Sequence, residues 1–257
     1  MRNGQSHRNN IDSKFIQKYP KEIDDKDGLS KTLSQISELK KPVIVLIGGV
    51  TGVGKTSIAS AVSKKLGIDR FNNSDVIREI MRYMLPKEVV PTLHESSFTA
   101  GHVVNNPFIQ KNVVYGFSQQ SSLVSQGVLA YIRRNVKEGL NTVMNGVHLI
   151  PGYLDLGYDN GEVLLFEYIL HLEDEERHIQ RFYERSQGSK RDPEYYIRDM
   201  SSIRKIQNYI KKQALKHDVM VIENTNFEQT VNVILQDIAS SLNEVLISKG
   251  KQKTISS

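Results

Sequence analysis

The sequence VIVLIGGVTGVGKTSI, residues 43–58, contains the strongest structural signal in the chain. It joins the apolar run VIVLI to a segment with the character of a helix. Between them lies Gly-x-x-x-x-Gly-Lys-Thr, which matches the phosphate-binding loop pattern at every specified position. That pattern requires a strand before it and a helix after it, and the sequence predicts both. We therefore predict a loop that binds nucleotide phosphates.

The residue types in this loop suit phosphate binding. Glycines let backbone N–H groups converge on phosphate oxygens, and the start of the following helix adds positive potential. Lys55 can reach the β- and γ-phosphates as a catalytic cation, and Thr56 offers a hydroxyl ligand to Mg²⁺. The predicted nucleotide-binding residues are Gly49, Val50, Thr51, Gly52, Val53, Gly54, Lys55 and Thr56.

Composition limits the classes of function that remain. The chain has 257 residues and a formal net charge of +5, which favours anionic partners. It contains no cysteine, so disulfides, thiolate metal sites and cysteine nucleophiles are excluded. Its seven histidines lack the HExxH spacing, and we expect no transition-metal site. Because no signal-peptide pattern or long apolar run is present, we predict a cytoplasmic protein without a membrane partner.

Beyond the loop, apolar strands alternate with amphipathic helices. Further strands are predicted near 69–73, 142–144, 163–172 and 219–222, and helices near 55–66, 76–85, 107–138, within 174–216 and near 228–247. This order predicts an α/β fold, a three-layer sandwich with a mainly parallel five-stranded sheet and a helical lid. We predict a polar N-terminal extension with one helix at residues 1–41 and the main domain at 42–248, which includes the lid at about 174–200. A basic tail follows at 249–257.

A carboxylate follows the second predicted strand. NNSDVIREIMR, residues 72–82, places Asp75 at a helix start on the carboxyl edge of the sheet, where ligands bind in open α/β folds. Asp75 could orient and deprotonate an acceptor hydroxyl, or hold Mg²⁺ through water. The alternative is that Ser74 or Asp75 only caps the helix. Beside a phosphate-binding loop we favour the catalytic and metal-binding roles.

Several cationic and imidazole side chains are candidates for binding an acceptor. Arg78 and Arg82 lie four residues apart on one helical face and suit an anionic acceptor, although Glu79 could pair with them in solvent. His94 in PTLHESSFTAGH and His148 in NGVHLIPG lie at predicted loop edges. Each histidine could bind an anionic group or could be a hydrogen-bonded structural side chain.

Residues 174–200 have the composition of a lid. A predicted helix carries Arg181 and Arg185, and Gly and Pro in SQGSKRDP interrupt it. These arginines could neutralise charge on the transferring phosphoryl group, while closure would exclude water. The alternative is an exposed helix with Glu and Arg pairs. We assign catalytic roles to Arg181 and Arg185 in preference to Lys190 and Arg191.

Five segments, in this order, resemble the archaeal 2-phosphoglycerate kinase family over roughly residues 43–245. They are GGVTGVGKTSIA, LGIDRFNNSDVIREIMR, PTLHESSFTA, NGVHLIPG and IRKIQNYIKKQALKHDVMVIEN. The resemblance implies a P-loop kinase-type fold, ATP with Mg²⁺, and transfer of the γ-phosphate to a hydroxyl of a small phosphorylated hydroxy acid.

Mapped onto this chain, the resemblance implies that residues 49–56 hold ATP. It also implies that Asp75 and Arg78 face the acceptor, and that His94 and His148 line its pocket. The family commonly has an acidic residue before the Gly-Val-His turn, whereas this chain has Asn145 there. We therefore assign Mg²⁺ to Thr56 and Asp75.

Other acceptors remain open on the sequence. The chain is also similar to a related branch, the archaeal mevalonate 3-phosphate 5-kinases, whose acceptor likewise carries a phosphate, a carboxylate and a free hydroxyl. An NTPase switch would hydrolyse ATP without an acceptor. A polynucleotide kinase would use the positive charge, but no aromatic-rich basic stripe supports nucleic acid as a partner. The predicted partner is a small phosphorylated hydroxy acid, and the oligomeric state is left open.

Overall fold

A parallel five-stranded sheet organises the chain around the loop that follows its first strand. The structure is a computed structural model that describes residues 41–104, 112–157, 162–187, 190 and 192–255, together with residues 33, 36 and 39. The strands are β1 Val43–Gly48, β2 Phe71–Asn73, β3 Thr142–Gly146, β4 Leu164–His171 and β5 Met220–Glu223. They lie in the order β2-β3-β1-β4-β5.

All four strand pairings are parallel, which confirms the predicted α/β fold and its five-stranded sheet. β1 is the central strand and is buried throughout, as its uninterrupted apolar sequence requires. Because the strands are parallel, their carboxyl ends meet at one edge. The loop at residues 49–54 leaves β1 at that edge.

Helices cover both faces of the sheet. They are α1 Lys55–Leu66, α2 Ser74–Met84, α3 Val113–Lys137, α4 Glu175–Ser186, α5 Pro193–Ile197, α6 Met200–Lys216 and α7 Phe227–Ile255. Short 3₁₀ turns occupy Pro91–His94 and Ala100–Val103. Alternate side chains of β1 point to opposite faces. Val45 and Ile47 pack in a cluster with α1, α6 and α7, and Ile44 and Leu46 pack in a second cluster with α2 and α3.

Several element boundaries differ from the predicted ones. β3 continues to Gly146, so Asn145 lies inside a strand rather than after it. The helix predicted from 107 begins at Val113, and residues 105–111 lie outside the described part. The helical region predicted over 174–216 divides into three helices, α4, α5 and α6. α7 continues to Ile255, into the segment predicted as a basic tail.

The predicted N-terminal extension lies almost wholly outside the described residues. Of its predicted helix, only residues 33, 36 and 39 are described, and Leu33 and Ile36 are buried in the cluster that contains α7. Within the described part of the chain, no helix combines the length and the apolar character that crossing a bilayer requires.

Candidate active site

The loop between β1 and α1 is held in a conformation that only glycine adopts easily. Gly52 has φ of +84° and Gly54 has φ of +86°, both in the left-handed region. A Cβ atom on Gly52 would lie 2.5 Å from Nε2 of His178, and one on Gly54 would lie 2.6 Å from Nδ2 of Asn224. The side chains of His178 and Asn224 therefore pack against these glycines, while the loop also lines a cavity at the carboxyl edge of the sheet. This cradle fits a chain of phosphates.

Lys55 and Thr56 begin α1 at the end of the loop. The Lys55 Nζ donates a hydrogen bond to the carbonyl of Val50 over 2.6 Å. Burial lowers the pKa of Lys55 to about 8, and the negative charge of Asp75 opposes that shift. Oγ1 of Thr56 accepts a hydrogen bond from Nδ2 of Asn145 over 3.0 Å. The cation and the hydroxyl are thus anchored to neighbouring backbone and to β3.

Asp75 lies in the first turn of α2, but it does not cap that helix. Oδ1 of Asn73 accepts hydrogen bonds from the backbone N–H groups of Asp75 at 2.8 Å and Val76 at 3.1 Å. The hydroxyl of Ser74 bonds instead to Nδ1 of His148, so neither residue that we considered as a cap performs that role. The Asp75 side chain is 60% exposed and lines a cavity beside the loop.

This cavity has a volume of about 920 Å³ and lies over the carboxyl edge of the sheet. It brings together four of the predicted catalytic and binding cations, which are Lys55, Arg78, Arg181 and Arg185. The remaining described residues that line it are Thr51, Gly52, Gly54, Thr56, Ser57, Asn73, Asp75, Val76, Glu79, Ser96, Ser97, Phe98, Asn145, Gly146, Val147, Glu184, Tyr196, Asn224 and Phe227. A cavity of this size and charge fits a nucleotide and a small anion together.

One wall of the cavity, Ser96 to Phe98, is fixed by Arg78, and we call this segment the acceptor wall. Nη1 of Arg78 donates to the carbonyls of Leu93 at 3.0 Å and Glu95 at 2.9 Å, directly before the wall. The Arg78 side chain is mostly buried yet reaches the cavity. Its other guanidinium N–H groups are the donors that an acceptor anion could use.

Three predicted acceptor residues do not line this cavity. Arg82 lies one helical turn beyond Arg78 and forms an ion pair with Glu79. His94 bonds through Nε2 to the carbonyl of Leu85 at 2.8 Å. His148 is fully buried, and burial lowers its pKa to about 4. In this structure Arg82 is paired with Glu79 and the two histidines bond to other protein groups, so none of the three faces the cavity, and their predicted contacts with substrate stay predictions.

The arginines of α4 contact the loop itself. Arg181 donates from Nη1 to the carbonyl of Val53 at 3.1 Å and from Nη2 to the carbonyl of Asn224 at 2.6 Å. Burial lowers the pKa of Arg181. Arg185 donates to Oγ1 of Thr51 at 3.4 Å. Lys190 does not line the cavity, and Arg191 lies outside the described residues.

A row of aromatic rings joins the loop to the acceptor wall through α4 and α5. His178 bonds through Nε2 to the carbonyl of Thr51 at 2.8 Å, and its ring stacks on Phe182 with centroids 5.2 Å apart. Phe182 stacks on Tyr196 at 4.9 Å, and Tyr196 contacts Phe98 at 5.8 Å. Burial lowers the pKa of His178 to about 4, so it is neutral and donates from Nε2.

Sequence reasoning missed several residues of this site. Asn224 follows β5 directly and donates from Nδ2 to the carbonyl of Val53 at 2.8 Å. Its position at the carboxyl end of a strand was a usable signal. Phe98, Tyr196 and Phe227 carried no such signal, because only the tertiary packing brings them to the cavity.

The donor set near Thr56 fits Mg²⁺. Thr56 and Asp75 both line the cavity and offer the hard oxygen ligands that this ion prefers. Oδ1 of Asn145 is buried, and within the described part of the chain it has no hydrogen-bond partner. Because Asn145 also lines the cavity, its orphaned oxygen could bind a water molecule of the ion's shell.

Comparison with known proteins identifies the family. The family description Zeta toxin matches residues 26–96. The 2-phosphoglycerate kinase of Pyrococcus furiosus is 38% identical over 213 residues, which are 83% of this chain and 69% of that relative. Its Pyrococcus horikoshii counterpart is 39% identical with the same coverage, and that of Methanocaldococcus jannaschii is 35% identical over 82% of this chain and 68% of the relative.

Among solved structures, a gluconokinase from Sinorhizobium meliloti 1021 is similar, with a TM-score of 0.48 and 16% identity. That similarity covers 82% of this chain and 99% of the gluconokinase, and it is too weak to bear on function. The sequence relatives are decisive because their identity exceeds one third over most of both chains. The chain belongs to the 2-phosphoglycerate kinase family.

Proposed function

We propose that this protein is an ATP-dependent kinase that phosphorylates the free hydroxyl of 2-phosphoglycerate. The observation that carries the proposal is the convergence of Lys55, Asp75 and Arg78 on one cavity beside the phosphate-binding loop. The names of the relatives support 2-phosphoglycerate as the acceptor. We infer one reaction for this cavity, and no observation favours a polynucleotide, mevalonate 3-phosphate or water as the acceptor.

In the proposed reaction, a new O–P bond forms between the C3 hydroxyl oxygen of the acceptor and the γ-phosphorus. The bond from the γ-phosphorus to the β,γ-bridging oxygen breaks, and ADP leaves with that electron pair. The hydroxyl proton passes to Asp75. Because 2-phosphoglycerate has a single free hydroxyl, the product is 2,3-bisphosphoglycerate. Catalysis of this kind depends mainly on positioning and on charge stabilisation.

The loop and its flanking cations would hold the ATP phosphates. Backbone N–H groups of the loop bind phosphate oxygens, and the Lys55 ammonium exchanges its bond with the Val50 carbonyl for one with phosphate. Thr56 and Asp75 would hold Mg²⁺, with Asn145 orienting the Thr56 hydroxyl. Bound Mg²⁺ supplies neutralisation of the charge on the β- and γ-phosphates.

The residues of α2 and the acceptor wall would bind 2-phosphoglycerate. Arg78 is held by two carbonyls and keeps further N–H groups for a carboxylate or phosphate. Ser96 and Ser97 place hydroxyl groups along the same cavity. Asp75 would orient the C3 hydroxyl, since Asn73 already caps the helix and leaves this carboxylate for the acceptor. Arg185 also lines the cavity and bonds to Thr51 of the loop, where it would balance the transferring charge.

An acceptor panel tests the proposal. ADP formation is measured with Mg²⁺ and ATP in the presence of 2-phosphoglycerate, glycerate, mevalonate 3-phosphate, a 5′-hydroxyl oligonucleotide or no acceptor. We expect ADP formation that depends on 2-phosphoglycerate and is lost with glycerate, because glycerate lacks the phosphate group. Equal ADP formation without an acceptor would identify an ATPase. Faster ADP formation with the oligonucleotide or with mevalonate 3-phosphate would replace the proposed substrate.

A further inference from the structure

We propose that Gln120, a buried residue of α3 that does not line the cavity, positions the acceptor wall and Asp75 relative to each other. It would do so through a chain of hydrogen bonds that runs through His148 and Ser74. This inference rests on the proposed function, because it assigns a role in acceptor binding. Gln120, Ser74 and His148 are each fully buried, so their polar groups must bond to one another or to backbone.

The orientation of the Gln120 amide follows from its partners. Its nitrogen lies 2.5 Å from the carbonyl oxygen of Thr92 and 2.9 Å from that of Glu95. Carbonyl oxygens only accept hydrogen bonds, so Nε2 must be the atom that faces them. The Gln120 Oε1 is therefore the atom 3.1 Å from Nε2 of His148, and it accepts a hydrogen bond from that ring nitrogen.

This arrangement fixes the proton of His148. The hydrogen bond to Gln120 requires a proton on Nε2, and Nδ1 is the ring nitrogen that faces Ser74. Nδ1 lies 2.9 Å from Oγ of Ser74, and the two groups share a hydrogen bond. The same Nδ1 lies 3.8 Å from Oδ1 of Asp75. That distance is longer than a hydrogen bond, so His148 does not hold the Asp75 carboxylate, which lines the cavity.

The other end of the chain meets Arg78. The carbonyl of Glu95 accepts from Nε2 of Gln120 and from Nη1 of Arg78, both at 2.9 Å, which uses both of its lone pairs. Ser96, the first residue of the acceptor wall, follows this carbonyl. Gln120 thus connects the wall to the start of α2, where Ser74 precedes Asp75. We infer that it sets the spacing between the groups that bind the acceptor and the carboxylate that orients it.

The first test reads the tautomer of His148 in the unmodified protein. Long-range ¹H–¹⁵N correlation spectra distinguish the two neutral tautomers and the cation. We expect a proton on Nε2 at neutral pH, with and without 2-phosphoglycerate. A ring whose Nε2 carries no proton would overturn the proposed hydrogen bond to Gln120. This spectrum does not depend on whether the substrate is correctly identified.

The second test compares Gln120→Met with Gln119→Met. Methionine keeps the length of the side chain but removes the amide, and Gln119 is an exposed neighbour on α3 that bonds only to Tyr115 among the described residues. We expect Gln120→Met to raise KM for 2-phosphoglycerate about tenfold, which corresponds to about one hydrogen bond lost between the displaced site and the acceptor. The dissociation constant for ATP should stay within about twofold, and Gln119→Met should change neither constant.

Circular dichroism and the His148 spectrum separate positioning from a general loss of structure. A folded Gln120→Met variant with unchanged KM and kcat would reduce Gln120 to a structural residue and overturn the proposal. Equal losses of ATP and acceptor affinity would do the same, because they would mean that the whole site has collapsed. If the unmodified protein does not phosphorylate 2-phosphoglycerate, the proposed function fails, while the tautomer of His148 still tests the hydrogen-bond chain.

Discussion

Replacing Gly52 with alanine should damage the loop far more than the same replacement at Gly67. Both glycines have left-handed backbone angles, with φ of +84° at Gly52 and +64° at Gly67. Apart from its own local backbone, a Cβ atom at Gly67 would meet no atom of the described residues within 4 Å, whereas at Gly52 it would lie 2.5 Å from His178 and 2.7 Å from Phe182. The pair therefore separates backbone strain from displacement of the neighbouring rings.

The expected magnitudes follow from these contacts. Gly67→Ala carries only the left-handed strain, which costs about 1 kcal/mol of unfolding free energy. Gly52→Ala carries the same strain and also forces the ring of His178 away, which breaks its 2.8 Å bond to the Thr51 carbonyl. That lost bond costs about 1 kcal/mol, and overpacking adds about 1–3 kcal/mol. The total for Gly52→Ala is then about 3–5 kcal/mol.

Urea unfolding followed by circular dichroism measures the two stabilities, and isothermal titration calorimetry measures ATP binding. We expect Gly67→Ala to bind ATP as the parent does and Gly52→Ala to lose at least about tenfold in affinity, because the loop backbone must move. Equal destabilisation of the two variants, with ATP binding unchanged in both, would refute the packing that we describe around the loop.

The remaining predictions concern single side chains of the cavity. Lys55→Met should abolish phosphoryl transfer but unfold at a higher temperature than the parent at pH 7, because burial disfavours the charged lysine. The parent should gain stability as the pH rises from about 8 towards 10.5, and a variant less stable than the parent at pH 7 would contradict this prediction. Asp75→Asn should lower kcat about 10²–10⁴-fold in steady-state assays without a change in melting temperature, whereas Asn73→Ala, which removes the helix cap, should cost about 1 kcal/mol of unfolding free energy. A loss of stability in Asp75→Asn and none in Asn73→Ala would instead make Asp75 the cap. Tyr195→Phe should raise KM for 2-phosphoglycerate about fivefold, because the Tyr195 hydroxyl bonds to Ser96 at 2.7 Å. An unchanged KM would mean that α5 does not contribute to acceptor binding.

The sequence predicted the parts of this protein that depend on local patterns. The loop pattern specifies glycines, a lysine and a threonine at fixed spacing, and the apolar strands specify a buried parallel sheet. The five-stranded fold was therefore predicted correctly, and the family was predicted correctly from the resemblance of five sequence segments. In the structure, Lys55, Asp75, Arg78, Arg181 and Arg185 all line the cavity, while their roles in catalysis and binding stay predictions.

Long-range contacts explain what the sequence could not predict. Arg78 and Arg82 share a helical face, so the sequence could not distinguish them. Only Arg78 is held at the cavity, by the carbonyls of Leu93 and Glu95. The cap of α2 depends on the extended backbone of Asn73, which no local pattern fixed. His148 bonds to Gln120 across 28 residues and to Ser74 across 74, so its burial could not be deduced from the turn that contains it.

A ³¹P NMR spectrum of the reaction products shows where the γ-phosphate of ATP is transferred. The protein is incubated with Mg²⁺, ATP and 2-phosphoglycerate until ATP is consumed, and Lys55→Met serves as the matched control. We predict that the γ-phosphate appears as a phosphomonoester on C3 of the acceptor, in a one-to-one ratio with ADP, and only with the parent protein. If the γ-phosphate appears only as inorganic phosphate, the cavity does not transfer it to 2-phosphoglycerate, and the proposed function is contradicted.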